Sequence, residues 1–279
     1  MSERTLVLGG GGVAGIAWAN GVLAGLAEGG ADVTNADLLI GTSAGSNVAA
    51  QLASGLPLTD LYQRQIDPAL QSRELIPQGV AVEKLMEAWA GIFGRNEDPV
   101  KVRIELGELA LGTETVPESA RIAVIESRLP VHAWPDRKMI ITAVEATTGE
   151  PRLFDRASGV DLVDAVAASS AVPGVWPPVT IDGVRFIDGG VRTSVNADLA
   201  EGSDRVLVIA PLPDPWLDQD VANLISGGSK VEVLVPDEES LATFGTNPLD
   251  PATRVPAAKA GRAQGQKAAP AVAALWRVA

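Results

Sequence analysis

Ser43 sits in Gly41-Thr42-Ser43-Ala44-Gly45, a G-x-S-x-G pentapeptide whose glycines allow a sharp strand-to-helix turn that projects the hydroxyl outward. An apolar run, Leu38 to Ile40, precedes it, and an Ala-rich helical pattern follows to about Ser54. A serine so placed stands at a helix N-terminus, where unpaired N–H groups and the helix dipole favour developing negative charge. The chemistry that suits it is nucleophilic attack on an acyl carbon. A second cluster, Gly9 to Gly12, offers backbone N–H groups to an anion, either a phosphate or an oxyanion. Gly10, Gly12 and Gly15 also satisfy G-x-G-x-x-G, which opens a dinucleotide-binding reading. That reading requires an acidic residue at the end of the second strand to hold the ribose. Here the strand ends in Ile40-Gly41 and delivers Ser43, while Asp32 and Asp37 come before it.

A serine nucleophile needs a base. The chain has no cysteine and a single histidine, His132, in Pro130-Val-His-Ala-Trp-Pro135, which reads as a solvent-facing loop. With His132 set aside, a carboxylate must take the Ser43 proton. Asp188, in Phe186-Ile187-Asp188-Gly189-Gly190, ends an apolar strand where the glycines permit close backbone approach. Asp182 lies six residues earlier but serves an Asp-Gly hairpin turn. Asp188 has no such structural duty.

The elements that must position these groups alternate in type. Thr5 to Leu8 is a short buried strand that stops at the glycines, and a helical pattern runs from Gly15 to Gly29-Gly30. Leu38 to Ile40 is the second strand. Residues from about Leu58 to Arg128 read as mostly helical, within an insertion of about 56–135 that could cover a site or pack on the sheet. Strands resume at Lys138 to Val144, a helix follows over Val160 to Ser169, and Val179 to Ile187 forms a hairpin. Arg205 to Ala210 and Val231 to Val235 are two more strands, and about 240–279 is a C-terminal tail, basic from Pro251 onward. This is the grammar of an α/β fold with a parallel sheet in one domain over 1–279.

Composition removes other classes. The chain has 279 residues, 46% of them apolar and 20% charged, which supports a large core and excludes wholesale disorder. A net charge of −13 argues against nucleic acid as a partner. The uncharged stretch Thr5 to Ala27 could pass for a signal peptide or a membrane span, but seven of its 23 residues are glycine, so a soluble cytoplasmic location is expected.

Taken in order, Gly10-Gly-Gly-Val-Ala-Gly15, Gly41-Thr-Ser-Ala-Gly45, Ala168-Ser-Ser-Ala-Val-Pro-Gly-Val-Trp-Pro-Pro178 and Asp188-Gly-Gly190 resemble the signature of the patatin-like phospholipase family. Gly245-Thr-Asn-Pro-Leu-Asp250 is similar to bacterial members' tails, a weaker match. The resemblance implies a three-layer α/β/α sandwich with a mainly parallel central sheet and catalysis by a Ser–Asp dyad. Ser43 would be the nucleophile, Asp188 the base, and the Gly11 and Gly12 amides, with Gly10 nearby, the oxyanion hole. Gly15, Gly41, Gly45, Gly189 and Gly190 would support the motifs. No metal or organic cofactor is implied. Expected partners are a lipid or other acyl-ester substrate and a transient membrane surface, with oligomeric state left open.

One position departs from the pattern. Ala14 stands where the family usually carries Arg or Lys, so a fixed charge for a phosphate head group is missing and neutral esters gain ground. On this reading Ala14→Arg would raise phospholipid turnover relative to a neutral ester. The alternative to a serine acyl hydrolase is a catalytically quiet lipid- or acyl-binding protein of the same fold.

Overall fold

The computed structural model describes residues 3–75 and 82–277. Residues 76–81 of the helical insertion lie outside the described residues. Strand β1 (Arg4–Leu8) leads through the glycine loop into α1 (Gly12–Glu28), and β2 (Leu38–Gly41) leads through Ser43 into α2 (Ala44–Ala53). The insertion contains α3 (Leu58–Ile66), α4 (Val82–Arg95), α5 (Pro99–Gly112) and α6 (Glu118–Arg128). Then come β3 (Lys138–Glu145), β4 (Pro151–Phe154), α7 (Leu162–Ser169), the hairpin β5 (Val179–Ile181) and β6 (Val184–Asp188), and β7 (Arg205–Ile209). The chain continues through α8 (Leu217–Ser226), β8 (Lys230–Leu234), α9 (Glu238–Phe244) and α10 (Arg254–Trp276).

Among the described residues the strands form one eight-stranded sheet, ordered β5-β6-β3-β2-β1-β7-β8 with β4 paired to β3. The run from β3 to β8 through β2, β1 and β7 is parallel, and the β4 and β5–β6 pairings are antiparallel. Period-two alternation divides each central strand between two cores. Leu6, Leu8, Leu39, Leu207 and Ile209 face the core shared with α1, α2, α7 and α10. Val7, Ile40, Val206 and Val208 face the opposite core, which Leu217 and Leu224 of α8 complete. The result is the expected α/β/α sandwich.

The uncharged stretch 5–27 is divided between a buried strand and a buried helix, and no helix among the described residues is long and apolar enough to cross a membrane. The hairpin turn has both Asp182 (φ 50°) and Gly183 (φ 80°) left-handed, as a two-residue type I′ turn demands.

The stretch read as a tail is structural. Helix α10 lies along α1 with glycines facing on both sides: Gly21 and Gly25 meet the backbone of Ala258 and Arg262, and Gly261 and Gly265 meet that of Trp18 and Val22. At each of the four positions a Cβ would overlap a backbone carbonyl of the other helix. Glycine weakens a helix, but here it removes the side chains that would hold the two backbones apart.

Candidate active site

The register of the sheet brings the three motifs to one edge. Leu8 pairs with Gly41 across β1 and β2, so the glycine loop and the Ser43 turn leave the carboxyl ends of adjacent parallel strands. Gly41 pairs with Ile141 on β3, and Ala143, two residues farther along, pairs with Asp188 on β6. Asp188 is thus delivered just beyond the end of β2, at the edge where parallel sheets place their ligands.

Ser43 adopts φ 53° and ψ −115° at the head of α2, a conformation that costs a non-glycine residue about 1–3 kcal/mol. Several hydrogen bonds hold it there. Its N–H donates to Ser169 Oγ (2.9 Å), and its carbonyl accepts from Ser46 Oγ (2.6 Å) and Asn47 Nδ2 (3.1 Å). Neighbouring Thr42 Oγ1 accepts from Thr142 Oγ1 (2.9 Å) and from Nδ2 of the fully buried Asn196 (3.0 Å). Gly45 lets the turn close, because a Cβ there would collide with the Leu8 carbonyl, and a Cβ on Gly41 would lie 2.7 Å from Ser46 Cα.

The turn directs Ser43 Oγ at Asp188 Oδ2, to which it donates over 2.6 Å. The other carboxylate oxygen, Oδ1, accepts the Gly190 N–H at 2.7 Å. Gly189 packs so closely on Thr142 that a Cβ would overlap its hydroxyl. Asp188 is 4% exposed, and burial pushes its carboxyl up to about 7 against the Ser43 hydroxyl, the Gly190 amide and the Arg121 charge, which hold it down. A carboxylate in that range is matched to proton transfer near neutral pH.

The glycine loop closes the site. Gly12 has φ 63° and opens α1, where helix N–H groups have no intrahelical acceptor. Gly11 and Gly15 pack on Pro211, and the Gly10 N–H is committed to the Ser194 carbonyl at 2.7 Å. Gly10, Gly11, Gly12, Ser43 and Asp188 line a common cavity of about 420 Å³ with Leu85, Trp89, Val175 and Leu249. Its walls are mostly apolar, and Ser43 and Asp188 are part of its lining. No group of three or more His, Asp or Glu side chains among the described residues could hold a metal ion.

Two readings change here. Ala14 is fully buried in the main core and its N–H donates to the Pro248 carbonyl at 2.9 Å, so an arginine at this position would have to enter the core. Ala14→Arg would therefore disrupt the core rather than favour phospholipid. The weak Gly245–Asp250 match also gains a role, since Thr246, Asn247, Pro248 and Leu249 line the cavity.

His132 is exposed in the loop after α6, its Nε2 3.1 Å from the Glu126 carbonyl. Asp188 occupies the place beside Ser43 that an imidazole would take. His132→Ala is therefore expected to keep ester hydrolysis within about threefold of wild type. A loss beyond about 100-fold in a folded variant, the scale of lost general-base catalysis, would assign the base to histidine.

The family model for patatin-like phospholipase matches residues 6–201, which include the glycine loop, Ser43 and Asp188 but not Pro211 or the cavity-lining Thr246 to Leu249. The chain belongs to the patatin-like phospholipase family. Membership places it among lipid acyl hydrolases. Among curated proteins none matches the chain significantly. The structure of VipD from Legionella pneumophila is similar over 97% of this chain and 67% of that one, with a TM-score of 0.53 and 16% identity, a likeness of fold. Type III effector protein ExoU gives a TM-score of 0.42 at 16% identity over 98% of this chain and 54% of its own. ExoU from Pseudomonas aeruginosa in complex with SpcU gives 0.37 at 16% identity, over 94% of this chain and 53% of that one.

Proposed function

We propose that this patatin-like protein hydrolyses lipid or other acyl esters through a Ser43–Asp188 dyad and an acyl-enzyme. The observation that carries the reading is the buried 2.6 Å hydrogen bond from Ser43 Oγ to Asp188 Oδ2 in the wall of an apolar cavity. Ser43 Oγ attacks the ester carbonyl carbon as Asp188 takes its proton. The oxyanion is held by the Gly11 and Gly12 amides, with Gly10 shaping the loop through its bond to Ser194. Collapse of the intermediate expels the alcohol, which takes the proton from Asp188. Water then gives its proton to Asp188 and attacks the acyl carbon, releasing the fatty acid and restoring Ser43.

A lipid chain suits the cavity, and α4 supports a route into it. Leu85 and Trp89 line the cavity, and Phe93 continues the same four-residue spacing as an exposed aromatic. That stripe fits transient contact with a lipid surface. A fluorophosphonate probe should label Ser43, and the protein should cleave esters in a panel of phospholipids and neutral esters. Folded protein that neither labels nor cleaves any of them would be the quiet acyl binder instead.

The pH profile follows from Asp188. Only the ionised carboxylate is a base, and burial raises its value to about 7. kcat/KM should therefore fall about tenfold per unit as pH drops below about 7 and level off above it. The same limb should appear in His132→Ala. A limb that vanishes or moves by about one unit in that variant would remove Asp188 from the role.

A further inference from the structure

Arg121, on α6 of the helical insertion, is 3% exposed, and its Nε and Nη1 have no hydrogen-bond partner among the described residues. Its guanidinium lies 4.0 Å from the centroid of the Trp176 ring. The two carboxylates whose charge acts on it, Glu74 and Asp188, are otherwise committed. Glu74 is shared by Arg128, at 2.5 Å, and Arg254. Asp188 is engaged by Ser43 and Gly190. A buried cation whose donors go unmet is costly, and an anion would complete it.

Arg121 lines a small cleft of about 20 Å³ together with Ser43, Asn47, Glu74, Arg128, Ser170 and Trp176, with the Glu74 carboxylate paired to Arg128 and Arg254. That space admits a single oxygen-sized group. The cleft shares Gly12, Ser43, Val172 and Leu249 with the large apolar cavity. Ser43 consequently lies where a greasy compartment meets a cationic one, an arrangement complementary to an amphiphile with an acyl chain and a nearby negative charge. The cleft's positive charge comes from α6, which carries both Arg121 and Arg128.

We propose that Arg121, with Arg128, Asn47 and Ser170 around it, forms a subsite for one anionic oxygen of a phosphate borne by the acyl-ester substrate. The inference rests on the Ser43–Asp188 hydrolase reading and adds the substrate's charge to it. Burial, and after it the like charge of Arg128, pulls the Arg121 guanidinium down to about 9, so it remains cationic at neutral pH. Arginine suits the task because its planar donors hold phosphate oxygens in fixed directions, which an ammonium does not.

The test compares kcat/KM for a short-chain, monomeric diacyl phospholipid with that for the diacylglycerol of the same chains, in wild type, Arg121→Gln and Arg121→Lys at pH 8. The ratio cancels any change in the shared chemical step. It should fall at least about tenfold in Arg121→Gln and by less in Arg121→Lys. In parallel, calorimetry with inorganic phosphate and with sn-glycerol 3-phosphate measures binding to wild type and Arg121→Gln. A ratio unchanged within twofold in both variants overturns the head-group subsite. If binding of inorganic phosphate is nevertheless lost in Arg121→Gln, the cleft is a site for free phosphate instead. If only thermal stability changes, Arg121 merely props Trp176 and the proposal fails. Should wild type cleave neither ester, the hydrolase reading fails, and loss or retention of phosphate binding alone decides whether Arg121 holds an anion.

Discussion

Ser43→Ala and Asp188→Asn should each abolish ester hydrolysis, by about 10⁴-fold or more, yet move stability in different ways. Ser43→Ala removes the nucleophile of the proposed dyad and Asp188→Asn its base, and among the described residues no other side chain is hydrogen-bonded to Ser43 Oγ. Asp188 carries an additional cost. Its folded value of about 7 lies above the ordinary 3.8, because burial disfavours the charged form. The folded state therefore prefers the protonated acid. The penalty is absent below the unfolded value, grows between the two values and is complete above about 7. Asparagine keeps the shape and remains neutral, so Asp188→Asn should melt several degrees above wild type at pH 8, with the gain fading toward pH 4. Thermal unfolding of wild type, Ser43→Ala and Asp188→Asn at the two pH values measures this. Destabilisation of Asp188→Asn at pH 8 would show that the ionised carboxylate helps to hold the fold, contrary to this account.

Gly25→Val should prevent folding or destabilise the protein by at least about 3 kcal/mol. A Cβ on Gly25 would overlap the Arg262 carbonyl and lie 2.8 Å from the Gln266 nitrogen, and both are backbone atoms of α10. Neither can yield without lifting one helix from the other. Gly94, near the end of α4, has open space where its Cβ would go, so Gly94→Ala should be neutral or slightly stabilising through helix propensity. Soluble yield and melting temperature of the two variants separate close approach from a general intolerance of losing glycine. A Gly25→Val protein that melts with wild type would refute the packing of α1 on α10.

Much of the fold was legible because its signals are local. Apolar runs ended by glycine marked β1 and β2, and Asp182-Gly183 marked a turn that needs two left-handed residues. Ser43 and Asp188 could be singled out because few other residues were free to do the chemistry, and the resemblance joined them across 145 positions that spacing alone does not span. Other features left no local trace. Helix α10 is rich in Ala, Gly and basic residues, with no apolar stripe, because its packing depends on small residues meeting small residues. Arg121 and Arg128 are charged residues within a stretch read only as helical, and it is the tertiary fold that buries them. Asn196 and Ser169 work through contacts 154 and 126 positions away along the chain. Ala14 was misread because a motif reports which residue type is usual at a position, not whether a side chain there can reach solvent.

The glycine seam also imposes an order on the making of the protein. Residues 12–28 leave the ribosome long before residues 254–276, yet the glycine face of α1 is covered only when α10 arrives. Strand β1 waits likewise for β7 to cover its second edge. A growing chain thus carries Ser43 and Asp188 well before the helix that follows the glycine loop is fully packed. If the Ser43–Asp188 dyad hydrolyses esters as proposed, that activity is expected only once α10 has docked on α1.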